Sequence, residues 1–288
     1  MTAKRVLGHA EFATVNVDGL TLRGQAWMPA QPLAVIALVH GLAEHGGRYA
    51  EFAQRANSFG IGVVSVDLRG HGKSPGVRLF VEVFDDYLFD VDALLAQTRL
   101  LAGECPVFLM GHSLGGAIAL RWVDQRRGAA KNLRGLLLSS AALKIGPGTP
   151  ALLIKLAPLI SRWFPLLRLQ ALNANLISSI PAEVARYLDD PLVCKLPPPT
   201  RTGAEVLAIM PANLDAAREL KLPLYVFHGT DDTLTSPEAS QALYDAWGGS
   251  DKHLRLWPGS LHETLNDIDR DAVMDEMFAW LLLRAKQQ

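Results

Sequence analysis

The chain has 288 residues, 49% of them hydrophobic and 20% charged, which is enough apolar side chain for a sizeable core and excludes a disordered chain. With 28 basic against 29 acidic residues and a net charge of -1, there is no electrostatic reason to expect a nucleic acid partner, and a small or uncharged substrate fits better. The two cysteines, Cys105 and Cys194, lie far apart and outside any metal-ligand spacing, so neither a disulfide framework nor a metal site is expected and a reducing, cytoplasmic setting is.

The first nine residues carry two basic side chains but no apolar core of the kind a signal peptide needs. Glu11 to Val17 and Leu20 to Met28 alternate as strands do, and Asp18-Gly19 between them is a two-residue hairpin signal. Val35 to Val39 is a short apolar run suited to a strand buried on both faces. It ends in His40-Gly41-Leu42-Ala43-Glu44-His45-Gly46-Gly47-Arg48-Tyr49, and a helix is predicted from Tyr49 to Phe59. Gly60 closes that helix, and Ile61 to Val66 is the next strand, ending in Asp67-Leu68-Arg69-Gly70-His71-Gly72-Lys73-Ser74. A second helix runs from Phe84 to Leu101, its acidic residues near the start as the helix dipole prefers.

The stretch from Val107 to Val123 is the most informative. Val107 to Met110 is a strand, Gly111-His112-Ser113-Leu114-Gly115 fits G-x-S-x-G, and Ala117 to Val123 continues at helical periodicity. A serine in such a strand-turn-helix elbow is held out as a nucleophile. Strands follow at Gly135–Ser139, Leu224–Phe227 and His253–Leu256, and an amphipathic helix from Arg270 to Arg284 closes the chain. Strands alternating with helices imply a mostly parallel sheet covered on both faces.

One interval is too long for this pattern. Residues 140–223 separate two predicted strands, whereas a βαβ unit needs only about 30 residues. The interval is rich in Leu, Ile, Ala and Pro, with helices expected near Ala151–Leu159, Pro181–Leu188 and Gly203–Met210, and it is read as a lid over the carboxyl ends of the strands. Its most apolar part, Ala151 to Leu169, is interrupted by Lys155, Pro158, Arg162, Pro165 and Arg168, so it suits contact with a micelle or membrane surface but not a membrane crossing.

A serine hydroxyl needs a base to take its proton and a carboxylate to hold that base. In this architecture they follow in the order Ser, Asp or Glu, His, each at a strand end. The loop after Phe227 offers Asp231 and Asp232, between which spacing does not choose, and the loop after the last strand offers His262. Two backbone donors are needed for the oxyanion: the amide of Leu114, and one from the loop after the Val35 strand, with Leu42 the foremost candidate. Among the other histidines, His9 and His253 are expected at the surface or a strand edge. His40, His45, His71 and His228 are expected to cap or hydrogen-bond in loops, and His112 to line the pocket or to pack.

Together the His40–Tyr49, Asp67–Ser74, Gly111–Gly116, Gly229–Asp232 and Gly259–His262 segments resemble the α/β-hydrolase family, and specifically its monoacylglycerol lipase and lysophospholipase branch. The His40–Tyr49 run and Asp190-Pro191-Leu192-Val193-Cys194 carry the branch-level likeness. The resemblance implies an α/β-hydrolase fold with a mostly parallel eight-stranded sheet, a core formed by residues 1–139 and 224–288, and a helical lid at 140–223. It implies Ser113 as nucleophile, Asp232 as acid, His262 as base, and Leu42 and Leu114 as oxyanion amides. Glu44 and Arg48 are expected to pair or to order the oxyanion loop, or else to contact the alcohol part of the substrate, and Tyr187 to approach the glycerol end. No cofactor is implied. The expected activity is hydrolysis of monoacylglycerols or similar single-chain lipid esters, with peripheral membrane contact through the lid. A lysophospholipase or general carboxylesterase, an acyltransferase on the same triad, and a ligand-binding receptor on the hydrolase fold are the alternatives.

Overall fold

Burial with period two sets the frame of this molecule. In the computed structural model, which describes residues 8–147 and 151–286, the strands are β1 (Gly8–Val15), β2 (Thr21–Met28), β3 (Ala34–Val39), β4 (Ile61–Val66), β5 (Val107–His112), β6 (Gly135–Ser139), β7 (Leu224–Gly229) and β8 (Lys252–Trp257). Along β3, Val35, Ala37 and Val39 enter one apolar core while Ala34, Ile36 and Leu38 enter another, because successive side chains of a strand point to opposite faces. The sheet therefore has a core on each side.

The eight strands lie in the order β1-β2-β4-β3-β5-β6-β7-β8. β1 and β2 run antiparallel to each other and β2 antiparallel to β4, while all pairings from β4 to β8 are parallel. From β3 the chain steps outward to β4 and then crosses back to β5, so a crevice opens at the carboxyl ends of β3 and β5. The register sets Val39 beside Gly111, His112 beside Ser139, and Ser139 beside Phe227. The loops leaving β3, β5, β6 and β7 thus start at one level.

The helices are α1 (Ala50–Ser58), α2 (Asp86–Ala102), α3 (Leu114–Gln125), the single turn α4 (Arg127–Ala130), α5 (Ala151–Trp163), α6 (Pro181–Asp189), α7 (Thr200–Ala216), α8 (Pro237–Ala246) and α9 (Arg270–Ala285). Phe52 of α1 and Met277, Phe278 and Leu281 of α9 fill one core; Leu94 of α2, Ile118 and Trp122 of α3 and Leu243 of α8 fill the other. α5, α6 and α7 all belong to the long interval between β6 and β7, and α7 seals it to the sheet layer by Ile209 and Met210 and by Asn213 Nδ2 donating to the Ala117 carbonyl at 3.0 Å.

Three expectations change. The first hairpin is not a two-residue turn: its strands end at Val15 and start at Thr21, because the Asn16 side-chain oxygen accepts the amides of Asp18 and Leu20, each at 3.0 Å, and holds a wider loop. α7 does not stop at Met210 but runs through Pro211 to Ala216, its packing on α3 and the sheet outweighing the proline's cost. α8 has no counterpart among the predicted elements. Residues 1–7, including the start read for a signal peptide, and residues 148–150, part of the read lid, lie outside the described residues.

A buried charge fixes the hairpin to the helical layer. Asp90 of α2, fully buried, accepts from Asn16 Nδ2 at 2.7 Å, the Arg69 amide at 2.9 Å and Arg69 Nη2 at 2.9 Å, while Arg69 also reaches Asp18 at 2.7 Å. Removing Asp90 leaves the Arg69 amide and Asn16 Nδ2 without their buried acceptor and Arg69 with only the more exposed Asp18 and Asp86 as counter-charges. Asp90→Ala is expected to cost about 3–5 kcal/mol of stability in urea unfolding, far more than loss of a surface ion pair.

Candidate active site

The turn after β5 is forced by contact between backbones. A Cβ on Gly115 would lie 2.1 Å from the Val39 carbonyl oxygen, one on Gly111 2.2 Å from the Gly115 carbonyl oxygen, and one on Gly116 2.6 Å from the Ala141 Cβ. Only glycine lets β3, β5 and α3 come this close. Ser113, between them, has φ 52° and ψ -119°, a conformation side chains rarely take. It is over-determined by its surroundings: the Ser113 amide donates to the Ser139 carbonyl at 2.9 Å, and its carbonyl accepts from the amides of Gly116 at 3.0 Å and Ala142 at 2.9 Å.

Asp232 is held at the end of β7. Its Oδ1 accepts from the amides of Leu234 at 2.8 Å and Thr235 at 3.1 Å, and its Oδ2 from His262 Nδ1 at 2.6 Å, Thr235 Oγ1 at 2.8 Å and His228 Nε2 at 2.9 Å. Burial opposes its charge, but the two imidazoles and their hydrogen bonds prevail and hold the carboxyl well below the usual range. A carboxylate only accepts, so Nδ1 of His262 carries the proton and Nε2 is the free basic nitrogen. Burial disfavours the His262 imidazolium, yet Asp232 outweighs it and raises the group above its ordinary 6.5. Asp231, by contrast, is exposed and bonded to the hydroxyl of its neighbour Thr230 at 2.7 Å. Of the two aspartates between which spacing does not choose, Asp232 faces the histidine and Asp231 faces solvent.

Glu44 and Arg48 pair, and a third residue joins them. Glu44 Oε1 accepts from the Gly41 amide at 2.6 Å and the Tyr49 hydroxyl at 2.9 Å, while Oε2 meets Arg48 at 2.8 Å. The Arg48 guanidinium then grips both carboxylate oxygens of Glu263 at 2.8 Å and lies over the Tyr187 ring, 4.8 Å from its centroid. Burial pushes both carboxyls up. For Glu44, burial and the neighbouring Glu263 win over Arg48; for Glu263, Arg48 wins and brings it down to about 2. Glu263 was not among the predicted site residues. It adjoins His262 in sequence, but its partner lies 215 positions away, a distance no local pattern reads.

A cavity of about 110 Å³ joins these groups, lined by Gly41, Leu42, Glu44, His112, Ser113, Leu114, Tyr187, His262 and Glu263 among others. It shares Leu42, Ile145, Leu172, Val206 and Leu234 with a larger apolar chamber of about 500 Å³ under α5 and α7. All nine predicted site residues except Asp232 and Arg48 line the smaller cavity, and those two bond to residues that do. His112 both lines it and packs, its ring 4.8 Å from that of His262 and its Nδ1 3.1 Å from Ser139 Oγ; burial and nearby His262 lower it to about 3.

The remaining histidines divide. His9 and His253 are exposed, and His45 accepts the Gly47 amide at 3.2 Å while its Nε2 meets Asp190 at 2.9 Å. His40 accepts the Leu68 amide at 2.9 Å and His71 bonds the Arg69 carbonyl at 2.9 Å. His228 departs from expectation: it lies within β7, not in a loop, and its partner is Asp232. Among the described residues no cluster of side chains suits a metal ion.

The family described as serine aminopeptidase, S33, matches residues 30–269. A monoacylglycerol lipase of Mycolicibacterium smegmatis is 29% identical over 274 residues, spanning 95% of this chain and 97% of its own length. A monoglyceride lipase of Rattus norvegicus is 30% identical over 272 residues, 93% of this chain and 88% of its own. The crystal structure of Paleococcus ferrophilus monoacylglycerol lipase superposes with a TM-score of 0.79 at 31% identity, covering 97% of this chain and 99% of that one. The fold, the serine elbow and these likenesses agree: the chain is a serine hydrolase of the α/β-hydrolase family and belongs to its monoacylglycerol lipase branch.

Proposed function

We propose that the protein hydrolyses monoacylglycerols, with Ser113 as nucleophile, His262 as base and Asp232 as the acid that orients it. The observation that carries this reading is the cavity pair: a small space with a polar wall at Ser113 opening, across five shared residues, into an apolar chamber several times larger. One acyl chain and one small polar alcohol match such a site. Glu44 and Glu263 are both engaged by Arg48, so neither offers a free carboxylate to a substrate amine. That favours a neutral ester over a peptide.

In this reading His262 Nε2 takes the Ser113 proton as Oγ attacks the ester carbonyl, and the developing oxyanion is held by the Leu42 and Leu114 amides. Glu44 keeps the Gly41–Leu42 backbone in place by holding the Gly41 amide. The imidazolium returns its proton to the glycerol oxygen, which leaves, and a water deprotonated by His262 then releases the fatty acid from the acyl-enzyme. Residues 140–223 act as the lid and residues 1–139 with 224–288 as the core. The base of the lid is tied to the site: the Cys194 amide donates to the Ala43 carbonyl at 2.8 Å and the Glu263 amide to the Ile177 carbonyl at 2.7 Å.

The lid also presents an apolar face. Leu152, Leu159, Trp163, Phe164 and Leu166 are each more than half exposed, and no helix among the described residues is long and apolar enough to cross a membrane. We assign this face to peripheral contact with the lipid surface that supplies the substrate.

Four outcomes are expected. Ser113→Ala lowers turnover of 1- and 2-monoacylglycerols by roughly 10⁴-fold or more with an unchanged circular dichroism spectrum, and in a panel the wild type prefers monoacylglycerols to lysophospholipids, triacylglycerols and short esters. The base must be unprotonated to act, so kcat/KM measured across pH falls on the acid side, with a midpoint above the ordinary histidine value of 6.5. The double change Trp163→Ser and Phe164→Ser weakens flotation with liposomes by on the order of tenfold or more while leaving turnover of a water-soluble ester intact.

A further inference from the structure

Two imidazoles, not one, bond to the carboxylate oxygen that faces the active-site histidine. His228 Nε2 lies 2.9 Å from Asp232 Oδ2, and His262 Nδ1 lies 2.6 Å from the same atom. His228 is wholly buried as the penultimate residue of β7, and its other nitrogen lies 2.7 Å from Ser240 Oγ on α8. Because Asp232 only accepts, His228 Nε2 must donate, which leaves Nδ1 to take the Ser240 hydroxyl proton in the neutral ring. A buried histidine with both nitrogens engaged is more than a packing group, since an apolar residue would fill the same place without a polar network to satisfy.

We propose that His228 is a positioning residue: it takes up part of the charge on Asp232 Oδ2 and so keeps His262 available as a free base at neutral pH. Asp232 Oδ1 remains fixed by the Leu234 and Thr235 amides, so loss of the His228 hydrogen bond concentrates charge on the bond to His262 rather than releasing the carboxylate. The other charged groups acting on His262, which are Glu44 and Glu263, both held by Arg48, and the neighbouring His112 ring stay in place; Glu238 at the start of α8 is the further charge near His228.

The inference rests on the proposed triad, and a pH profile of kcat/KM separates the two. His228→Leu is expected to move the acid limb upward by about one pH unit, a loss of about tenfold at pH values below both limbs, equivalent to one hydrogen bond to a charged group. KM and the high-pH plateau change little, and His228→Gln, which can still donate to Asp232, restores the wild-type limb. A merely structural role would lower thermal stability and active fraction without moving the limb. An unmoved limb in a folded His228→Leu variant, or a shift that His228→Gln fails to reverse, overturns the proposal. If His228→Leu does not fold, Ser240→Ala decides: an upward shift supports it and an unmoved limb overturns it. Asp232→Asn is the control, because retained activity there sinks the triad reading itself, whereas an inactive Asp232→Asn beside an unmoved His228→Leu limb sinks only the role of His228.

Discussion

The structure depends on how closely three backbones meet below Ser113. The Val39 carbonyl stands where a Cβ on Gly115 would be, and Ala141 stands where one on Gly116 would be. This approach forces Ser113 to a positive φ, ties its amide to the end of β6 and its carbonyl to the loop that follows, and sets it at the crevice where the sheet's strand order reverses. Strain of this kind persists only where the surroundings over-determine it. Here the surroundings are the sheet itself, through the pairing of β3 and β6 with β5.

Around that point the molecule solves one electrostatic problem three times. Each of three buried carboxylates near the cavity is balanced by more than one donor: Asp232 by two imidazoles, a hydroxyl and two amides, Glu44 by an amide, a phenol and a guanidinium, and Glu263 by the same guanidinium and the Asn266 side-chain amide. An unbalanced charge at these depths would be costly, and the balancing groups come from β7 and from the segments that follow β3, β7 and β8. Arg48 links the loop after β3 to the loop after β8 and carries Tyr187 of the inserted segment on its face. The polar wall of the cavity is thereby one connected network, while the chamber beside it is apolar because α5 and α7 turn Ile154, Ile160, Val206 and Leu207 toward it.

The parts legible in the sequence were those written in local pattern. Period-two and period-3.6 burial gave away the strands and most helices, and the glycines at 111, 115 and 116 marked the elbow, because backbone contact there admits no side chain. Loops at strand ends brought Asp232 and His262 within reach of notice. Asp231 against Asp232 was not decidable from spacing, since two adjacent loop residues differ only in the direction each side chain takes. The bounds of α7 and of the first hairpin escaped for the same reason: Pro211 and Asn16 act through packing and side-chain bonds that propensity does not contain.

By itself, then, the sequence determined the parallel sheet, the serine elbow, the strand-end loops that carry Asp232 and His262, and the family, because each is encoded by residues close together in the chain. Tertiary structure alone decided the roles open to His228 and Glu263 and the shape of the chamber. In the sequence His228 reads as a loop residue that caps or hydrogen-bonds, and only the fold puts it in β7 with Asp232 and Ser240 on either side of it; Glu263 likewise finds its counter-charge at Arg48 only in the fold. The chamber is walled by α5, α7 and the loops around Leu172 and Leu234, which the fold draws from separate stretches of chain. Burial and charge balance depend on what surrounds a residue in space, and only the folded chain supplies those surroundings.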